Sequence, residues 1–294
     1  MPKKTKITWL DVWIGLVVLG AAAYLFYRIR IGLHYDWHWE AIPQYLFRYD
    51  EESGTWVQNM LMQGLLTTIR LSLWGMVIAT AIGVAMGLCR VSRRLFNRLI
   101  GGTYVGLIRN VPPLVLIFIF YFFVSSQIMP LLGLDEFLAS STPGIRRLAT
   151  ALFAPPALFS TFLSALMTLA VFEGAYIAEI VRAGIQSIDR GQWEASSALG
   201  LSRWQQLRHV ILPQAVKRIL PPLAGQFIST IKDSAIVSVI SIQELTFQGL
   251  ELMAATFLTF EIWITIALLY LFLSLLLSLG VERLEIRMRR SGAA

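Results

Sequence analysis

The chain has 294 residues, 56% of them hydrophobic, and a mean hydropathy of +0.64. Soluble domains rarely run so apolar, so the composition points to an integral membrane protein and leaves little sequence for a soluble domain. A formal charge of +7 could suit nucleic acid, but the basic residues are placed as they would be to orient a membrane protein, and no nucleic-acid partner is expected.

A spanning helix needs about 20 mostly apolar residues. Six stretches qualify: 9–29, 66–88, 110–132, 157–181, 219–240 and 257–280. They predict an all-α membrane protein, a polytopic bundle of about six transmembrane helices in a lipid bilayer. Lys3, Lys4 and Lys6 precede the first stretch, and Arg90, Arg93, Arg94 and Arg98 follow the second. Arg182, Arg190, Arg203, Arg208, Lys217 and Arg218 lie between the fourth and fifth; Arg283, Arg287, Arg289 and Arg290 follow the sixth. Positive charge gathers on the cytoplasmic side, so both termini are expected to be cytoplasmic. Arg28, Arg30, Arg48, Arg146 and Arg147 then fall outside, awkwardly so for the pair next to the first helix.

The first 26 residues have a Lys-rich start, an apolar run and Ala21-Ala22-Ala23, as a signal peptide would. Tyr24-Leu25-Phe26 carries the apolar run past the length of an h-region, so an uncleaved anchor is expected. Residues 34–56 are polar and aromatic; Trp37, Trp39, Tyr45 and Trp56 suit the membrane–water interface. Cys89 reads as a packing residue, and His34, His38 and His209 have no metal-ligand spacing. Pro112-Pro113 and Pro221-Pro222 each open an apolar run, which marks helix starts, because the first helical turn has spare N–H groups. Residues 133–156, with Gly133, Pro143, Gly144 and Pro155-Pro156, read as a loop. Residues 241–255 are too polar to span and read as a short outer interfacial or re-entrant helix.

The stretch GQWEASSALGLSRWQQLRHVILP, residues 191–213, is helical but broken at Gly200, a residue favoured where a helix stops in the left-handed conformation. Ser202 to Gln205 spells a capping box that starts a new helix, with Pro213 near its end. The pattern is helix, Gly corner, helix. Its apolar residues, among them Trp193, Leu199, Leu201, Trp204 and Leu207, are too interrupted to span and suit a groove on another protein or the lipid surface.

Glu194-Ala195-Ser196, then Gly200, then nine residues and Val210-Ile211-Leu212-Pro213 resemble the EAA loop of ABC-importer permeases, written E-A-A-x3-G-x9-I-x-L-P. Ser196 and Val210 are mild departures. AYIAEIVRAGIQSIDRGQWEA (175–195) and GQFISTIKDSAIVSVISIQEL (225–245) are similar to polar amino-acid uptake permeases, in which the second stretch more often reads K-D-T-S-L around Lys232-Asp233. The resemblance covers roughly residues 60–282. It implies the permease subunit of a type I ABC importer in a bacterial cytoplasmic membrane, working by alternating access. Glu194, Ala195, Ser196, Gly200, Leu201, Trp204, Leu212 and Pro213 would form the coupling loop that docks on a cytoplasmic ATPase dimer. A second permease chain, the same or related, and an extracytoplasmic substrate-binding protein complete the implied assembly. The chain carries no G-x-x-x-x-G-K-[ST] sequence, so ATP and Mg would sit on the partner ATPase and this chain would bind no cofactor and perform no catalysis. The resemblance divides the chain into an anchor and outer polar segment (1–58), a permease domain (59–284) and a cytoplasmic tail (285–294).

Ionisable groups inside spans are costly and usually functional or paired. Glu179 and Arg182 are spaced i, i+3 and can pair structurally. Glu173, Lys232 and Asp233 have no such local neutralisation. A zwitterionic amino acid needs an anion for its ammonium, which Glu173 or Asp233 could supply, and a cation for its carboxylate, which Lys232 could supply. The alternative is an interhelical Glu173–Lys232 pair, with Asp233 bonding toward the loop. Thr168, Ser229 and Thr230 are weaker candidates for the substrate path, because hydroxyls in membrane helices often bond their own backbone. Three other classes stay open: a permease for another small polar solute, an ion-coupled secondary transporter, which would not explain the EAA spacing, and a membrane-embedded enzyme, for which no nucleophile–base set is present.

Overall fold

A computed structural model describes residues 9–32, 35–52 and 54–291. Lys3, Lys4, Lys6 and His34 lie outside the described residues, as do the side chains of Arg30, Arg287, Arg289 and Arg290. The chain divides into two units, Met1–Glu40 and Ala41–Ala294. In the first, α1 (Trp9–Gly32) exposes its apolar side chains, Trp9, Trp13, Val17 and Leu19 among them. Trp37 stacks on Trp39 with ring centroids 5.6 Å apart, and Tyr35 meets Trp37 edge-on at 5.1 Å.

The second unit opens with α2 (Ile42–Leu46) and an antiparallel hairpin, β1 (Phe47–Asp50) and β2 (Thr55–Gln58), in which Tyr49 faces Trp56. Asn59 then starts α3 (Met60–Val91): its side chain accepts from the Met60 N–H and donates back to the Gln44 carbonyl. There follow α4 (Leu95–Asn110), α5 (Pro113–Leu132), α6 (Leu134–Ser140), α7 (Pro143–Leu152), α8 (Pro156–Gln186), α9 (Arg190–Ala198), α10 (Arg203–Ile240), α11 (Leu245–Thr256) and α12 (Thr259–Ser291).

Five of these, α3, α5, α8, α10 and α12, are long and apolar enough to cross a membrane; the apolar part of α1, Trp9–Leu25, is shorter. Leu71 of α3 packs with Phe162 of α8 at one end of the bundle, and Ala79 packs with Ile177 and Val181 farther along, so α3 and α8 run in parallel. Leu65 packs with Ile266, which aligns α12 with them; α10 runs the other way, from Ile211 beside Val181 to Ile240 beside Phe162. The α3–α8 contact is close because α3 presents Gly75, Ala79, Gly83 and Gly87 at four-residue spacing, one small residue per turn on one face. A Cβ on Gly83 would stand 2.5 Å from Ile177 Cγ2, and one on Gly87 2.7 Å from Val181 Cβ.

The structure departs from sequence expectation in three places. Residues 133–156 are two short helices rather than a loop: Gly133, at φ +57°, ends α5 and Pro143 opens α7, so these residues act as helix stop and start signals. Pro221 and Pro222 lie inside α10, which also runs through Pro213. A widened π segment at Gln206–Ile211 precedes Pro213, and another at Val124–Ile128 precedes Pro130. Such a turn relieves the clash a proline ring makes with the carbonyl four residues back. The amphipathic α4, absent from the sequence reading, wedges Val105 and Ile108 against Phe172, Ala175 and Ala178 of α8, and its Tyr104 hydroxyl donates to the Val171 carbonyl at 2.6 Å.

The polar stretch at 241–255 does form a helix, α11. Glu244 caps it, accepting from the Phe247 N–H at 2.8 Å. The same buried carboxyl accepts from the hydroxyls of Tyr270 on α12 (2.8 Å) and Thr68 on α3 (3.3 Å), while Thr68 Oγ1 accepts from the Leu245 N–H. Three helices are thereby knotted at the end of the bundle where α3 begins.

Candidate functional site

The corner between α9 and α10 lies at the other end, where α3 finishes. Asp189 caps α9 by accepting from the Gly191 N–H at 2.8 Å. Gly200 takes φ +72°, a conformation that glycine adopts without a Cβ penalty. The capping box forms in full: Ser202 Oγ accepts from the Gln205 N–H, and Gln205 Oε1 accepts from the Ser202 N–H at 2.8 Å. Trp193, Leu207, Val210 and Leu212 pack against the core of Val181, Ile185, Ile188 and Ile211. Arg203 lies 3.8 Å above the Trp193 ring. Ser196 is buried and donates to the Trp193 carbonyl at 2.9 Å; Glu194 pairs with Arg190 at 3.1 Å on the exposed face.

The apex is therefore held from below and bare above. Leu199 is 80% exposed and Trp204 63% exposed, with Gly200 between them. Among the described residues, and apart from its two chain neighbours, no atom lies within 4 Å of where a Gly200 Cβ would stand, so the turn, not local crowding, demands glycine. Two large apolar side chains on a rigid exposed corner make a surface suited to a groove on another protein.

Inside the bundle, Glu173 of α8 is wholly buried. Gln226 of α10 donates to its Oε2 at 2.8 Å, and Thr230 and Asp233 stand close by. The described residues contain no Glu173–Lys232 ion pair. Beside Gln226 opens a cleft of about 440 Å³ lined by Pro113, Phe172, Tyr176, Ser229, Lys232, Asp233 and Ile236. Lys232 and Asp233, though adjacent in sequence, both reach it, so one wall offers opposite charges. Thr168 and Thr230 are buried and bond back to the carbonyls of Ser164 and Gln226, four residues earlier. Glu179 pairs with Arg182 as its spacing predicts, and also with Arg90 of α3. Gln226 and Tyr176 were not flagged by the sequence, because a neutral amide or phenol in a span gives no charge signal; Arg90 was read only as an orienting charge, not as a partner of Glu179.

The model of the family described as binding-protein-dependent transport system inner membrane component matches residues 79–290. The chain belongs to this family. It is 34% identical over 259 residues to the glutamine transport system permease protein of Escherichia coli, covering 87% of this chain and 99% of that one. It is 30% identical over 257 residues to the glutamate/aspartate import permease protein of the same organism, covering 87% and 97%. A crystal structure of an amino acid ABC transporter with histidines superposes with a TM-score of 0.61 at 33% identity, over 78% of this chain and 94% of that one.

The matched region runs from mid-α3 to the described end of α12. It takes in the Gly200 corner, the Glu173–Gln226 contact and the charged cleft together. The ABC-permease resemblance drawn from the Glu-Ala-Ser, Gly and Leu-Pro spacing agrees with this membership and with the multi-pass helical fold.

Proposed function

We propose that the chain is the membrane-spanning permease of an ATP-driven importer of polar amino acids. One observation carries the reading: the exposed Leu199–Gly200–Trp204 apex, fixed by a left-handed glycine and a complete capping box, leads directly into the helix, α10, that lines the charged cleft. A separate ATPase dimer grips the apex; Glu194, Ala195, Ser196, Gly200, Leu201, Trp204, Leu212 and Pro213 form or brace the grip. Closure of the ATPases moves α10, and the cleft beside Glu173, Ser229, Lys232 and Asp233 passes the zwitterion. A second permease chain completes the path and a binding protein delivers the amino acid from the far side. Both termini, the apex and the 285–294 tail face the cytoplasm, residues 59–284 carry transport, and residues 1–58 anchor the chain. The names of the relatives support amino acids as the solute class.

The test is uptake into vesicles holding this chain with its ATPase and binding protein. Labelled amino acid should accumulate only with ATP. Accumulation at full rate by the chain alone, without ATP, would overturn the reading in favour of an ion-coupled carrier.

A further inference from the structure

Arg70 lies ten residues into α3, inside a spanning segment. A charge there is costly unless a partner or a function holds it. Its one hydrogen bond among the described residues is a long one, 3.5 Å to the Phe153 carbonyl. The guanidinium lines a cavity of about 340 Å³ at the end of the bundle remote from Gly200. Gln63, Thr67, Thr161, Gln243 and Gln248 supply the polar lining, and Leu66, Leu158 and Phe162 the apolar. The volume is within the ordinary range for small-molecule pockets, about 300–1,000 Å³.

Gln248 also lines the cavity, and its side chain is 5% exposed. Its Oε1 is sealed off from the cavity, so the rest of the side chain borders it. Neither aspartate nor glutamate is among the residues lining this cavity. It therefore presents one cationic side chain among neutral polar ones, with no counter-ion. The complementary solute carries a carboxylate.

We propose that this cavity is a second amino-acid site, a waiting position on the far side from the ATPase. The Arg70 guanidinium takes the α-carboxylate, and Gln63, Thr67 and Gln243 border the rest of the solute. The site is distinct from the Lys232–Asp233 cleft: the two share no lining residue. The inference rests on the amino-acid reading above.

The test is equilibrium binding of labelled L-glutamine to the assembled permease–ATPase complex in lipid nanodiscs, without binding protein. Arg70→Gln should weaken binding at this site about tenfold, the loss expected for a charge-assisted hydrogen bond. Gln248→Leu, close in shape, removes a polar side chain from the lining and should weaken it several-fold. If Arg70→Gln fails to assemble, Gln248→Leu decides. Wild-type affinity in both variants, or no saturable binding to wild type, overturns the site. So does a phospholipid headgroup that co-purifies with wild type and is lost in Arg70→Gln while glutamine affinity stays unchanged. None of these touches the transport reading, which fails separately if no amino acid enters ATP-loaded vesicles.

Discussion

Gln226 of α10 donates to Glu173 of α8 at 2.8 Å and leaves the other carboxyl oxygen, Oε1, without a hydrogen-bond partner. The contact joins the two helices that flank the charged cleft. Glu173→Gln removes the charge but keeps an acceptor for Gln226; the complex should assemble normally while amino-acid uptake falls about tenfold. Gln226→Leu keeps the acid and strips its donor, a loss of a few kcal/mol for a buried charged group. Thermal unfolding in detergent should show Gln226→Leu destabilised more than Glu173→Gln, with the double variant recovering part of the difference. Unchanged uptake kinetics in Glu173→Gln would remove this residue from the transport path.

At the corner, a side chain other than Gly must adopt φ +72°, which costs roughly 1–2 kcal/mol for most residues and less for Asn. Gly200→Trp should lower substrate-stimulated ATP hydrolysis and uptake together. Gly200→Asn should retain most of both. Normal coupling in Gly200→Trp would show that the ATPase does not read this turn.

The capping box predicts a smaller effect. Ser202→Ala removes the acceptor for the Gln205 N–H and should cost about 1 kcal/mol of local stability. Hydrogen exchange at residues 203–206 should rise by roughly fivefold to tenfold, and a pull-down with the ATPase should weaken in step.

Close packing between α3 and α8 makes Gly83 intolerant. Gly83→Ala places a Cβ against Ile177 Cγ2 and should lower stability by about 1–3 kcal/mol through overpacking. Pairing it with Ile177→Ala should restore much of the loss, which a thermal-shift comparison of the single and double variants can measure.

The buried Glu244 knot should be the most sensitive of these positions. Glu244→Ala deletes the acceptor for Phe247 N, Tyr270 and Thr68 at once. Two stranded donors at about 1–3 kcal/mol each, with Tyr270 left only Thr246 Oγ1 at 3.1 Å, should lower the melting temperature sharply. Glu244→Gln keeps an acceptor and should sit between the extremes.

The corner was legible because its signals are local: a Gly that needs no neighbours to turn, and a Ser–Gln pair whose bonds close within four residues. Five of the six expected spans were legible from apolar run length. The continuity of α10 was not, because Pro213 and Pro221-Pro222 are strong helix-boundary signals. The π segment ahead of Pro213 and packing against α8 and α12 overrule them. Helix α4 was missed because its buried stripe of Val105 and Ile108 is too narrow to register as apolar. The partners of Glu173 and Glu244 lie 53 positions away at Gln226, and 26 and 176 at Tyr270 and Thr68. No spacing rule reaches so far.

Helix α10 runs unbroken for 38 residues, from the base of the bare apex past Lys232 and Asp233. At 1.5 Å per residue, Trp204 and Lys232 stand about 42 Å apart on one hydrogen-bonded rod. A tug at the tryptophan must therefore tilt the lysine as well, unless the rod yields at the widened seam beside Pro213 or at Pro221-Pro222, which lack the N–H groups for two of its rungs. That seam sets how stiff the lever is, and a mutation restoring ordinary helical pitch there would change the stroke without touching either end.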